Sequence, residues 1–300
     1  LGTNKPFRRI RLCEVRFGID YTYDKNSIES ASLNLSADPA SEALPTNEFV
    51  AKIDNSNRIY NMINPEGLFA FLQEGQFATC SISINGEEIH MGRYYFTSAK
   101  SEDGGLTADI TFNDRIFMLD HATYQIGASG AWTLSDAVSS ILSAAGLEIE
   151  TNYNGMGDTI IRKCIPKNTT CREALRLASQ AAMCSCYINR DYILEFFSPT
   201  AGDSADNITR DTQVQDAQIS VGERYNVVSL SVRDDFAGTE ATYTAKNIEE
   251  DESEMIYQVD NPLVNDGNTV AAWLLAWKQR RTSYDLTYRG NPAIDIYDMA

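Results

Sequence analysis

Residues 7–36 alternate polar and apolar, with aromatics at Phe17, Tyr21 and Tyr23 and a second run at Ala31-Ser32-Leu33-Asn34-Leu35. A period of two is the signature of half-buried strands. Pro39 and Pro45 interrupt it, and Glu48–Asp54 resumes it. Asn64-Pro65-Glu66-Gly67 predicts a short helical turn through Leu68, Phe71 and Leu72, closed by Gly75. Two further alternating runs, Cys80–Ile84 and Ile89–Phe96, flank Asn85-Gly86, a pair that supplies the positive φ angles of a type I′ hairpin turn. Asp103-Gly104-Gly105 predicts another turn before the alternating run Leu106–Phe112. This portion predicts an antiparallel meander, closed or half-closed as a barrel.

The period changes near residue 128. Thr133-Leu134-Ser135-Asp136 has the form of a capping box, and Leu134, Val138, Ile141, Leu142 and Ala145 follow at helical spacing up to Gly146. The same grammar returns 37 residues later, at Thr170-Cys171-Arg172-Glu173 with Ala174, Leu175, Ala178 and Ala181. Each helix is followed by an alternating run, Leu147–Tyr153 and Cys184–Phe197. Ser198–Asp203 has loop composition, and strand patterning returns at Ala217–Val221, Tyr225–Val232 and Thr239–Ala245. A third helix fits Thr269–Arg281, with Val270, Trp273, Leu274 and Trp277 on one face and the Trp pair as core anchors. The predicted class is α+β and mainly antiparallel β, in three parts: 1–127, 128–200 with two helix–strand units, and 201–300.

Composition narrows the possibilities. No run approaches the roughly 20 apolar residues of a membrane span, and no basic start leads into an apolar stretch as in a signal peptide. The absence of an initiating Met, and an end inside the strand-like Ile296–Ala300, suggest a fragment. The formal charge is −17, with 18 acids against 8 bases in residues 201–300. Such a chain does not gather phosphates by counterion release. The acidic run Glu249, Glu250, Asp251, Glu252 and Glu254 is a solvated loop or a patch that repels a polyanion.

Candidate chemistry is sparse. The six cysteines, Cys13, Cys80, Cys164, Cys171, Cys184 and Cys186, include no C-x-x-C, and His90 and His121 are the only histidines. Buried free thiols are expected rather than a zinc site or a disulfide framework. Gly127-Ala128-Ser129-Gly130 is one residue short of a nucleophile elbow. Lys163 follows no phosphate-binding loop, and Asp120-His121 does not form a dyad. Asp260-Asn261 and Asn265–Asn268 miss the alternating acids of a calcium loop. No catalytic residue, cofactor or metal ligand is expected.

The order of elements is similar to that of a known family. Leu44–Asn55, then Asn64-Pro65-Glu66-Gly67, Leu72–Gln76, the turn at Asn85-Gly86 and Met91–Phe96 resemble the opening domain of phage and prophage tail-tip proteins, also called tail-associated or baseplate hub proteins. Thr170–Leu175 through Tyr187–Asp191 looks like the helix-then-strand unit of their second domain. Tyr288–Asp298 is similar to their recurring Arg-Gly-Asn-Pro segment. The resemblance implies two tube-type β-barrel domains with the small α+β domain between them. It further implies a homotrimer whose six barrels match a sixfold tail tube, in contact with tail-tube or distal tail proteins and with tip or spike proteins. DNA would pass as unbound cargo, with Glu249–Glu254 as the candidate channel-facing acids, in a virion tail assembled in the bacterial cytoplasm. Any cell-wall hydrolase activity would lie outside these 300 residues. A carbohydrate-binding or adhesin module, drawing on 15 Tyr and 3 Trp for stacking surfaces, is the alternative reading.

Overall fold

The computed structural model describes all residues except 1–6, 14–19, 24–25, 59–74, 85–86, 102–104, 128–129, 199–212, 250–251, 286, 288–295 and 297–300, and only the backbone of 7–13, 20–22 and 84. The expected helical turn at 64–72, the Asn85-Gly86 and Asp103-Gly104 turns, half of the 127–130 loop, most of the 198–203 loop, and nearly all of Tyr288–Asp298 lie outside the described residues. The chain divides into two compact units. One comprises Leu1–Ser36, Pro45–Phe117 and Ile188–Ile193; the other comprises Ala37–Leu44, Met118–Tyr187 and Leu194–Ala300.

The first unit is built on one seven-stranded antiparallel sheet. Its strands are β1 (Phe7–Cys13), β2 (Asp20–Tyr23), β3 (Ile28–Asn34), β4 (Glu48–Asp54), β5 (Phe77–Ile84), β6 (Glu87–Ser101) and β7 (Thr107–Asn113). Their spatial order is β2-β1-β5-β6-β7-β4-β3. Only β5-β6-β7 is a meander, which corrects the expectation of one throughout. The pair β1–β2 adds to the free edge of β5, and β3–β4 to that of β7. Alternation decides which face is buried: Phe49, Ala51 and Ile53 of β4 meet Ala108, Ile110 and Phe112 of β7 in one apolar layer, completed by Tyr94, Met91 and Cys80. Phe49 packs between Tyr94 (5.8 Å) and Phe112 (6.0 Å).

The sheet is coiled as a half-barrel by bulges in the 15-residue β6. The register slips between Cys80 and Ser81 opposite Gly92 and His90, and again between Phe96 and Ser98. Each extra residue bends its strand and increases the local twist. Gly92 makes the first bulge possible, with φ +124° and Tyr94 where a Cβ would stand, the hydroxyl at 2.9 Å. The extra residue of the second is Thr97, whose hydroxyl donates to the Thr111 carbonyl at 3.0 Å.

The second unit is mixed. After the 3-10 turn Arg115–His121 come β8 (Ala131–Thr133), α1 (Leu134–Ala144), β9 (Thr151–Asn152), β10 (Ile160–Arg162), α2 (Cys171–Ala181), β11 (Ser185–Ile188) and β12 (Leu194–Phe197). The next elements are β13 (Gln218–Val221), β14 (Val227–Asp234), β15 (Thr239–Lys246), β16 (Ile256–Asp260), α3 (Gly267–Lys278) and β17 (Thr282–Asp285). The box at α1 is complete: Thr133 Oγ1 accepts from the Asp136 N–H at 3.1 Å, and Asp136 reaches back to the Thr133 N–H at 3.4 Å. At α2 it is half made. Thr170 caps the Glu173 N–H at 3.1 Å, but the Glu173 carboxylate is taken bidentately by Arg176, both bonds at 2.7 Å.

Cys184–Phe197 is a hairpin rather than one strand. Asn189 Oδ1 accepts from the N–H groups of Asp191 (2.9 Å) and Ile193 (3.1 Å), which folds the chain back. The strand β16, parallel to β14, has no counterpart in the sequence reading. In α3 the buried face is Val270, Ala271, Leu274 and Leu275, while Trp273 and Trp277 stand half-exposed beside it and are not core anchors. Cys80, Cys164, Cys171, Cys184 and Cys186 are buried free thiols, and the side chain of Cys13 lies outside the described residues. No helix among the described residues is long and apolar enough to cross a membrane.

Candidate functional surface

The acidic loop is organised by a buried asparagine. β14 lies between β15 and β16, so the connection 247–255 must pass over the start of β14. Asn226, 1 % exposed, sits at that start. Its side chain donates to the Ser253 carbonyl (2.9 Å) and accepts from the Met255 N–H (2.7 Å), and its backbone carbonyl accepts from the Asn247 N–H (2.9 Å). Both ends of the loop are thereby held.

Of the five acids singled out, Glu249, Glu252 and Glu254 are described. Glu249 is exposed. Glu252 pairs with Arg224 at 2.7 Å and Glu254 with Lys246 at 2.6 Å. Glu250 and Asp251 lie outside the described residues. The ion pairs are surface contacts that cost side-chain entropy and are screened by salt, so each contributes little stability.

Outside the loop, charged side chains serve the framework. Arg162 and Asp234 pair at 2.8 Å, and the backbone N–H groups of Ala237 and Phe236 hold the Asp234 carboxyl below its ordinary value. Cys164 beside them is pushed up to about 11, chiefly by burial and then by Asp234. Along one stripe of α2, Arg172 donates to the Leu44 carbonyl (2.7 Å from Nε), Arg176 to the Ser41 carbonyl (2.9 Å) and Gln180 to the Ala40 and Ser41 carbonyls (3.3 Å each). This ladder pins segment 37–44, and nothing in the period-2 and period-3.6 patterns announced it.

His90 and the acid beside His121 are both engaged by neighbouring side chains. Asp120 pairs with Arg172 at 2.7 Å. His90 Nε2 meets the Tyr192 hydroxyl at 2.5 Å, and the Arg93 guanidinium lies between the rings of Phe77 (4.3 Å) and Tyr192 (4.1 Å). Asp266 caps α3 through the Thr269 N–H at 3.2 Å, and Asn261 is fully buried, donating to the Leu177 carbonyl at 3.0 Å. Among the described residues no three His, Cys, Asp or Glu side chains gather as metal ligands.

A different surface stands out at the ribbon β13–β17. Both strands are exposed along their length, and Ile219, Val221 and Tyr284 are each more than 60 % accessible. A lone two-stranded ribbon is marginal in water.

The sequence matches no family profile and no curated protein. Solved structures do match over almost the whole chain. The tail protein from Neisseria meningitidis MC58 is 12 % identical with a TM-score of 0.60, over 95 % of this chain and 80 % of that one. The 43 kDa tail protein of prophage MuSo2 from Shewanella oneidensis is 14 % identical with a TM-score of 0.58, over 95 % and 83 %. Prophage tail protein gp18 from Listeria monocytogenes EGD-e is 13 % identical with a TM-score of 0.53, over 92 % and 79 %. At such identities the likeness is one of fold: this chain has the fold of phage and prophage tail proteins.

Proposed function

We propose that the protein is a structural hub of a phage or prophage tail tip or baseplate, without catalytic turnover. The observation that carries this reading is the likeness to tail proteins across 95 % of the chain. In this reading the coiled sheet of the first unit is part of one tube-type barrel and the β13–β17 region part of a second. The small α+β part lies between them, with the divisions 1–127, 128–200 and 201–300. Three copies form a ring of six barrels below the tail tube, in contact with tail-tube or distal tail proteins above and with tip or spike proteins below. DNA passes through the ring during ejection, and the place of action is the virion tail, assembled in the bacterial cytoplasm.

Electrostatics supports the passage role. The chain carries a formal net charge of −17, and an acidic wall repels phosphates instead of releasing their counterions, so a duplex slides without sticking. Glu249, Glu250, Asp251, Glu252 and Glu254 are assigned to the channel side.

Negative-stain electron microscopy of the purified chain at several concentrations tests the ring. Threefold class averages with a central hole are expected. Compact single particles at every concentration overturn the trimer, and clearing of cell walls in a zymogram overturns the non-enzymatic reading.

A further inference from the structure

Two side-chain amides are completely buried in the second unit: Gln180 on α2, and Asn261 at the corner that joins β16 to α3, each 0 % exposed. Burying an amide is costly wherever one of its donors or acceptors is left unpaired. Here every polar atom of both side chains is used, and the bonds run in one direction. The Leu263 N–H donates to Asn261 Oδ1 at 3.0 Å. Asn261 Nδ2 donates to the Leu177 carbonyl and to Gln180 Oε1, both at 3.0 Å. Gln180 Nε2 donates in turn to the Ala40 and Ser41 carbonyls, at 3.3 Å each. A single chain of donors thus leads from the corner, across α2, to segment 37–44.

Neither amide can be turned over by itself. A reversed Gln180 would set its oxygen against two carbonyl oxygens and its NH2 group against that of Asn261. A reversed Asn261 would set its NH2 group against the Leu263 N–H. Each orientation therefore depends on the other, and hydrogen bonds in series in a low-dielectric interior polarise one another.

Both ends of this chain are irregular backbone whose polar groups need partners from elsewhere in the fold. At one end, segment 37–44 is held by the ladder from α2 and by Lys278 on Glu42 at 2.7 Å. At the other, the Asn261 N–H donates to the Ser231 carbonyl at 3.0 Å and the Leu263 carbonyl accepts from the Arg162 N–H at 2.7 Å. Leu263 and Val264 are buried behind them.

We infer that Gln180 and Asn261 form a directional relay that couples the docking of segment 37–44 to the seating of the β16–α3 corner. The two segments, far apart in sequence, hold or release together. The relay lies wholly in the second unit, and its existence does not depend on the tail role.

Urea unfolding of the full chain tests the coupling. Arg176→Met weakens the hold on segment 37–44, and Asn261→Ala removes the corner end of the relay. Through the relay the two effects are expected to be less than additive, by at least about threefold in the unfolding equilibrium constant. On a Gln180→Met background the same pair is expected to add. A second measurement reads one end while the other is changed: cleavage after Glu42 by a glutamyl endopeptidase is expected to speed up roughly threefold in Asn261→Ala. Should Asn261→Ala or the double variant not fold, that cleavage measured on Asn261→Ser decides. Additive effects in the parent, equal non-additivity without Gln180, or unchanged cleavage after Glu42 each overturns the relay.

Discussion

Two single residues show how much structure rests on one position. Gly92 combines φ +124° with the Tyr94 hydroxyl and ring at 2.9–3.1 Å from any added Cβ. A side chain there is both sterically crowded and in a backbone region that L residues avoid. Gly92→Ala is expected to destabilise the protein by about 1–3 kcal/mol in urea unfolding, at the scale of a strained backbone position. A midpoint equal to that of the parent would show that the bulge relaxes without cost. Arg176 is the second case. Its guanidinium joins the Glu173 carboxylate and the Ser41 carbonyl and is largely shielded, with a side-chain exposure of 13 %. Arg176→Met keeps most of the packing and removes the charge-assisted bonds, at an expected cost of about 1–3 kcal/mol. Proteolysis read alongside unfolding should locate the loss, with new cleavage expected in 37–44.

Among the elements, the helices were the most legible. Thr133 and Thr170 were marked as caps by residue type and spacing alone, and both accept the N–H three residues on. Thr133→Ala and Thr170→Ala are each expected to cost about 1 kcal/mol, the usual worth of a cap; equality with the parent in urea midpoints would argue that the first turns are held by packing instead. Strands were legible where one face is buried, as in β4 and β7, because alternation then has a physical cause. Pairing was not. The insertion of β5–β7 between β1–β2 and β3–β4 depends on contacts between residues distant in sequence, which no local period encodes. Short strands such as β9 and β10, of two and three residues, carry too few positions to show a period at all. The Trp residues of α3 misled for a related reason: spacing gives a face, and the neighbouring Ala271 and Leu275 took the buried one. The ion pairing of Glu252 and Glu254 was not legible, since Arg224 and Lys246 reach them only through the β14–β15–β16 arrangement.

At the scale of the whole molecule, ionisation bounds the conditions under which the fold persists. Burial pushes the thiols of Cys80 and Cys184 well above their ordinary value, Cys164 up to about 11, and the Tyr257 hydroxyl upward as well. An unfolded thiol ionises near about 8.5. Below that pH both states hold the proton and stability is intact. Above it the unfolded chain sheds protons that the folded chain retains, so stability falls as pH rises toward the folded values. The acid limb has the opposite sign. Asp234 is held down by backbone N–H groups and Asp266 by the Thr269 hydroxyl and N–H. Their contribution is present above the ordinary carboxylate value near about 3.9 and is lost as pH drops through the lower folded values. Urea midpoints are therefore expected to form a plateau from about pH 5 to 8, with a descent on each side. The alkaline descent has an internal control in Cys80→Ala, which lowers the plateau by leaving a small cavity but removes one titrating thiol. Its midpoint should decline less steeply between about pH 9 and 10.5 than that of the parent. Parallel declines would mean that Cys80 ionises equally in both states, and would leave the alkaline limit to the other buried thiols and the tyrosines.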